Sequence, residues 1–377
     1  MSRRSHGHDS ADPAPLALAV IGCGAVVEGL YLAPLRTLEA RGIARVAALV
    51  DPDPARTAAL ARHFPSARTS AGPAEALAQT PDLTIVTSPP GFHMEHSVAA
   101  LAAGSHVLCE KPMAIRLDDA ERMVTAARVA GRVLAVGMTR RLYPSLVEAR
   151  ALLARGALGE GLRFVYRQGQ VYGWPVSSDA AFRRGTAGGG VLVDLGSHVL
   201  DFLGALFGRA TVAGYADDGQ TDGVEANCRI ELAYPGAAGV VQLSWNQPLV
   251  TGLHILGSAG ELRLDPTRID GLWWRPHGGA WEHVLSAATW PSDLRPHPRE
   301  GTPRSHHDCI YYQLVRVLRA IVHGEPVPVG GDDALDVVRT IDECYRRATP
   351  LPLPWLAPGE QAQIDARHWK GRRWLAA

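Results

Sequence analysis

Tryptophan is missing from the first 150 residues of this 377-residue chain, and all nine lie from Trp174 onward. The two halves therefore build cores of different composition, and the length suffices for two domains. A net charge is missing as well. The 38 basic and 38 acidic side chains cancel, and the one basic cluster is Lys370 to Arg373, so nothing draws a polyanion and nucleic acid is not an expected partner. The five cysteines, Cys23, Cys109, Cys228, Cys309 and Cys344, are odd in number, scattered, and form no Cys-x-x-Cys pair. That gives no zinc pattern and suits a reducing, cytoplasmic compartment. No apolar run approaches the ~18 residues of a membrane span. The apolar stretch near the N-terminus follows Asp9, Asp12, Pro13 and Pro15 and breaks at Gly22, which argues against a secretory signal. His6 and His8 belong to a polar leader, residues 1–15, that reads as disordered rather than metal-binding.

What is present is ordinary globular composition, 46% apolar and 20% charged, with a definite order of signals. Leu16 to Ile21 is an apolar run ending in Gly22-Cys23-Gly24-Ala25, and Val26 to Ala40 can be helical. Strand, glycine turn and helix make the dinucleotide fingerprint: one glycine for the tight turn, one for close approach of the amides to a pyrophosphate. Val27 occupies the third glycine position, so the match is imperfect. A second strand, Arg45 to Val50, ends at Asp51, where a carboxylate can accept hydrogen bonds from an adenosine ribose. The residue also fits a turn before Pro52. Helices at Pro54 to His63, His93 to Ala103 and Asp118 to Ala130 alternate with strands at Leu83 to Thr87, His106 to Cys109 and Val133 to Val136. Such alternation predicts a doubly wound parallel sheet with ligands beyond the strands' carboxyl ends. Two of those ends carry unusual chemistry: Ser88-Pro89-Pro90-Gly91-Phe92-His93 and Glu110-Lys111-Pro112. Proline holds Lys111 out of helical geometry, in a loop at the ligand edge.

In the second half, Gly188 to Asp201 places Asp194 and His198 four residues apart after a glycine run taken to be flexible. On a helix these two stack on one face, opposite a stripe of Leu192, Leu195, Val199, Phe202 and Leu206. The pair is consistent with proton handling or with an ordinary stabilising helix pair. A boundary near Arg140 to Tyr143 and a connecting helix from Pro144 to Arg155 lead into strands at Leu162 to Tyr172, Val212 to Ala216, Ala226 to Ala233, Gly239 to Trp245, Gly252 to Leu256, Gly260 to Leu264 and Leu272 to Arg275. Their glycine-bearing turns predict a mainly antiparallel sheet. Ser305 to Asp308 is a capping-box pattern opening a helix whose first residues, His306 and His307, cannot both aim at one ion and read as exposed or rim residues. Asp332 to Arg347 is a last amphipathic helix. The expected division is a leader at 1–15, a nucleotide domain at 16–140, an α+β substrate and oligomerisation domain at 141–348, and a tail at 349–377.

Together, Gly22-Cys23-Gly24, Asp51, Thr87 to His93, Val107 to Pro112 and Gly188-Gly189-Gly190 with Asp194 and His198 resemble the glucose-fructose oxidoreductase, inositol dehydrogenase and MocA family, in that family's order, from about Leu16 to Gly330. The resemblance implies a Rossmann domain followed by an open-faced mainly antiparallel sheet with helices on one face, covered by another subunit in a dimer or tetramer. It implies NAD as cofactor, with NADP possible, no metal, and a carbohydrate-like small molecule as substrate. Gly22, Cys23, Gly24, Ala25, Val26, Asp51, Ser88, Pro89, His93, Glu110 and Lys111 are then the candidates for holding the nucleotide. Lys111, Asp194 and His198 are the candidates for catalysis: His198 as acid/base with a pKa near neutrality, Asp194 to orient or support it, Lys111 to hydrogen-bond the reacting oxygen. Tyr143, Tyr172, Trp174 and Arg183 are candidate substrate walls. A nicotinamide-dependent dehydrogenase or ketoreductase of a sugar, sugar nucleotide or cyclitol is the leading expectation. A glycosidase or epimerase cycling a retained NAD, and a non-catalytic NAD-binding regulator, are the alternatives.

Overall fold

The computed structural model describes residues 14–173, 182–219, 223–285 and 303–352, with 359–360, 362–363 and 366. It opens with β1 (Leu16–Ile21), a π-helical turn (Val27–Tyr31), α1 (Leu32–Ala40), β2 (Ala44–Val50), α2 (Pro54–Ala61), β3 (Arg68–Ser70), α3 (Pro73–Leu77), β4 (Leu83–Val86), α4 (His93–Ala102), β5 (His106–Cys109), α5 (Leu117–Ala130) and β6 (Leu134–Val136). All pairings in this sheet are parallel, in the order β3-β2-β1-β4-β5-β6. The chain moves outward from β1 in both directions, so the β1 and β4 ends face a crevice where strand order reverses. β2 beyond its exposed Arg45, and β4 apart from a buried Thr84, read as near-continuous apolar runs because helices cover both faces. β3, short and polar at the sheet edge, gives no apolar signal and is not among the expected strands.

A 3₁₀ turn (Thr139–Leu142) and α6 (Pro144–Ala154) cross to the second sheet. It contains β7 (Leu162–Gly169), then α7 (Arg184–Ala187) and α8 (Ser197–Phe207) intervene, then β8 (Thr211–Asp217), β9 (Asn227–Tyr234), β10 (Ala237–Ser244), β11 (Leu249–Leu256), β12 (Gly260–Leu264), β13 (Leu272–Pro276) and β14 (Glu282–His283). The chain continues through α9 (His306–His323), α10 (Gly331–Arg346) and β15 (Thr349–Pro350). The nine strands run β14-β13-β12-β11-β7-β10-β9-β8-β15, antiparallel except for β7 with β10 and β8 with β15. Helices cover one face. The other carries Val250 and Val165, 87% and 37% exposed, beside Trp273 and Trp281 around a cavity of about 680 Å³.

Chain order does not respect the division at 141. α9 opens with the expected capping box, in which Ser305 and Asp308 satisfy each other's backbone N–H. Its apolar stripe, Ile310, Leu314, Val317 and Leu318, then packs into the core of the first sheet with Leu35, Leu38 and Ile85. The helical stretch Arg184–Phe207 reaches the length and apolarity of a membrane span, with a mean hydropathy of 1.5, contrary to expectation. Of its most apolar 18-residue window, 67% is buried inside the protein, as in the core helix of a folded domain.

Candidate active site

The nucleotide end of the crevice is built from close backbone approach. Gly22 sits at φ +95°, and a Cβ there would lie 2.5 Å from the Ser88 nitrogen, so only glycine lets the β1 and β4 ends meet. Thr87 Oγ1 donates to the Gly22 carbonyl at 2.6 Å and fixes that meeting. Beyond it the helical turn begins with the Val27 N–H donating to Gly24 O. The amides of Gly24, Ala25 and Val26 precede that bond and are the orphan donors of a helix start, the cradle a pyrophosphate fits. Asp51 is buried at the β2 end and accepts from Cys23 N–H at 2.8 Å and from Asp53 N–H at 2.9 Å. The Arg56 guanidinium stands 3.9 Å away. The Cys23 thiol is pushed up to about 12, by burial first and then by Asp51, and does no acid–base work at neutral pH.

The other candidates on this edge divide. Ser88 is buried and pairs its hydroxyl with His96 Nδ1 at 2.9 Å, and exposed Pro89 precedes a 3₁₀ turn. His93, expected at the cofactor, is 1% exposed and lies behind the loops. Its Nε2 is 2.7 Å from Ser88 O and its Nδ1 2.8 Å from Pro112 O, so it ties the two ligand-edge loops together. Burial pulls it down to about 4 against those two carbonyls. Glu110 accepts from Tyr31 Oη and from Lys111 N–H, and burial raises its pKa. Gly137 is required beside it, since a Cβ there would stand 2.6 Å from Oε1. Lys111 follows, joined to Pro112 by a cis peptide bond.

Lys111 crosses to the second domain. Its Nζ donates to Asp194 Oδ1 at 2.7 Å and to Asp194 O at 3.3 Å, and Trp245 Nε1 donates to Asp194 Oδ2 at 3.3 Å. Burial opposes ionisation of Asp194, but Lys111 outweighs it and the pKa falls. Among the described residues Asp194 accepts hydrogen bonds from Lys111 and Trp245, and His198 Nδ1 forms no hydrogen bond with it. Leu192–Gly196 is a π-helical turn, and the wider turn breaks the stacking of residues four apart. Asp194 turns to Lys111. His198 keeps its Nδ1 buried without a hydrogen-bond partner among the described residues. Its pKa lies well below the usual histidine value, through burial first and then the charges of Lys111, Arg140 and His306. The glycine run before this turn is closely packed. A Cβ on Gly189 would fall 1.8 Å from Tyr345 Oη, and one on Gly190 2.0 Å from Glu225 O.

Around this centre, Tyr143 is buried with its hydroxyl 2.9 Å from His306 Nδ1, and burial lowers His306 to about 4. His307 is exposed and bonds Gly29 O. Tyr172 packs edge-on against Trp245 and Phe182. Arg183 is exposed, precedes α7, and pairs its backbone with Gly223. Trp174 lies outside the described residues. Sequence reasoning missed Arg140 and Trp245 as site residues. Arg140 had a usable signal: it follows β6 at the sheet's ligand edge, where it bonds neutral Gln168 and acts on His198, His306 and Asp194. Trp245 had none, because its role depends on a strand end meeting a helix 51 residues away.

Comparison with known proteins bears on the family and the fold. Residues 16–138 match the oxidoreductase family, NAD-binding Rossmann fold model of GFO/IDH/MocA, and residues 146–263 match the GFO/IDH/MocA C-terminal domain. The chain is 30% identical to a myo-inositol dehydrogenase of Streptomyces leeuwenhoekii over 83% of its own length and 99% of that protein. It is 36% identical to a D-glucoside 3-dehydrogenase of Escherichia coli, over 50% of this chain and about half, 52%, of that relative. The crystal structure of aldose-aldose oxidoreductase from Caulobacter crescentus, complexed with glycerol, superposes with a TM-score of 0.74 at 28% identity, covering 88% of this chain and 97% of that one. The chain belongs to the GFO/IDH/MocA oxidoreductase family, and its first domain is that family's NAD-binding Rossmann fold.

Proposed function

We propose that this protein is an NAD(P)-dependent oxidoreductase that interconverts a secondary alcohol and a ketone on a sugar, sugar nucleotide or cyclitol. The observation that carries the reading is the convergence of Lys111 from the nucleotide domain with Asp194, near a His198 whose Nδ1 has no hydrogen-bond partner among the described residues and whose pKa is held low by burial and by the Lys111 charge. The named activities of the relatives, on a glucoside and on myo-inositol, support the substrate class. The Gly22 to Val26 cradle and Asp51 would hold the nucleotide, whose nicotinamide accepts or supplies the hydride when bound. The chain's own part is to orient the carbinol and move one proton. Lys111, anchored by two hydrogen bonds to Asp194, keeps one further N–H donor for the reacting oxygen and favours its negative character. His198, neutral through the physiological range, takes the hydroxyl proton. Arg140 supports the same charge.

The test is a panel of sugars and cyclitols followed by NADH absorbance, then His198→Asn and Lys111→Met on the best substrate. Each substitution is expected to leave NADH binding intact and to lower kcat on the order of 10² to 10⁴-fold, and the double variant to be far less than multiplicatively worse. Near-normal turnover in a folded His198→Asn protein would overturn the role given to His198.

A further inference from the structure

Behind the Lys111–Asp194 pair lies a carboxylate that the reaction scheme leaves unused. Glu225 is 0% exposed and sits just before β9, 31 residues from Asp194. Its Oε1 accepts the backbone N–H of Gly190 at 2.9 Å, the backbone N–H of Leu192 at 3.1 Å and the Tyr345 hydroxyl at 2.8 Å. Its own carbonyl accepts Val191 N–H at 3.0 Å. Three consecutive amides at the start of the π-helical turn are thus held by one residue from a distant strand, where a local side-chain cap would otherwise be needed. No such cap exists at Val191. The packing is mutual. Gly190 lacks a Cβ that would strike Glu225 O, and Tyr345 is itself held on its other side by the Arg184 guanidinium, 4.3 Å over the ring. Two residues on, Asp194 is reached from the same strand pair, for Trp245 donates its backbone N–H to Ala226 O and its indole N–H to Asp194.

We infer that Glu225 is a positioning residue: as the remote cap of the π-helical turn, it sets the depth and rotation at which Asp194 meets Lys111. The inference rests on the proposed reaction for its kinetic consequence but not for its geometric one. A misplacement of roughly 1 Å in a group that orients the reacting centre can cost about 10²-fold in rate without touching the cofactor site.

Three variants and two readouts test it. In Glu225→Gln the amide oxygen still accepts the N–H groups, so kcat should stay within about threefold of wild type. In Glu225→Ala, kcat should fall on the order of 10²-fold while KM for NAD stays within about twofold. If the alanine variant does not fold, Glu225→Asp, one methylene shorter, takes its place with the same expectation. Crystal structures of the same proteins read the Lys111 Nζ to Asp194 Oδ1 distance, 2.7 Å in the native chain, which should lengthen beyond ~3.5 Å in Ala or Asp and not in Gln. Unchanged distance and rate in the alanine or aspartate variant would overturn the inference, as would a glutamine variant as impaired as alanine, or a loss shared equally with NAD binding. A wild-type protein that oxidises no sugar or cyclitol would instead refute the proposed reaction, and the distance would still decide the role of Glu225.

Discussion

Asp201 offers a prediction whose magnitude follows from the structure. It lies three residues beyond His198 on α8, is 1% exposed, and meets Arg141 through two contacts of 2.8 and 2.9 Å. Arg141 leans on Asp333 as well, at 3.4 Å, so the cluster ties the interdomain turn to α8 and α10. Burial costs the carboxylate more than Arg141 returns, and its pKa is pushed up from 3.8 to about 7. Between those values the folded chain holds a proton that the unfolded chain has released. The stability that Asp201 contributes is therefore complete below 3.8 and is lost as pH rises through 7, at about 1.36 kcal/mol per pH unit. From pH 5 to pH 8 that amounts to about 3 kcal/mol. Asp201→Asn keeps an oxygen toward Arg141 and removes the titration, while every other ionisable group is common to both proteins. Urea unfolding of the two at pH 5, 6, 7 and 8 should show the difference moving in favour of asparagine by about 3 kcal/mol across the series. Parallel pH dependences would refute the reasoning and mean that Arg141 holds Asp201 ionised throughout.

Other outcomes follow from the same geometry. NADH should bind more tightly than NADPH, because Asp51 opposes a 2′-phosphate, and Arg56→Gln should widen the gap by removing a cation beside it; fluorescence titration that finds NADPH tighter would refute this. Gly189→Ala should lower both the thermal midpoint and kcat, because the new methyl group displaces Tyr345. Adding Tyr345→Phe should restore part of each, and no restoration would place the damage elsewhere. The open face of the second sheet should form the contact between subunits, so Val250→Asp should shift light scattering from an oligomer to a monomer; a monomeric native chain would remove the basis for that expectation.

The parallel sheet was legible along the chain because its signals are local: apolar runs such as Val46 to Val50 buried on both faces, glycines demanded by tight turns, and caps such as Ser305 with Asp308. Lys111 and Asp194 were also legible as candidates, each standing at a strand end or on a helix that the pattern reveals. Their partners were not. A periodicity of 3.6 assigns Asp194 to His198, and only the π-helical turn, set by the packing of Gly189 and Gly190 against Tyr345 and Glu225, sends it to Lys111, 83 residues away, instead. α9 shows its amphipathic stripe in sequence, yet nothing in the stripe says which sheet it covers; the hydrophobic effect is non-directional, and the choice of the first domain's core was made by the fold as a whole. Glu225 and Trp245 likewise acquire meaning only where strand ends meet the helix that follows the glycines, because hydrogen bonds between distant segments leave no periodic trace in the residues that make them.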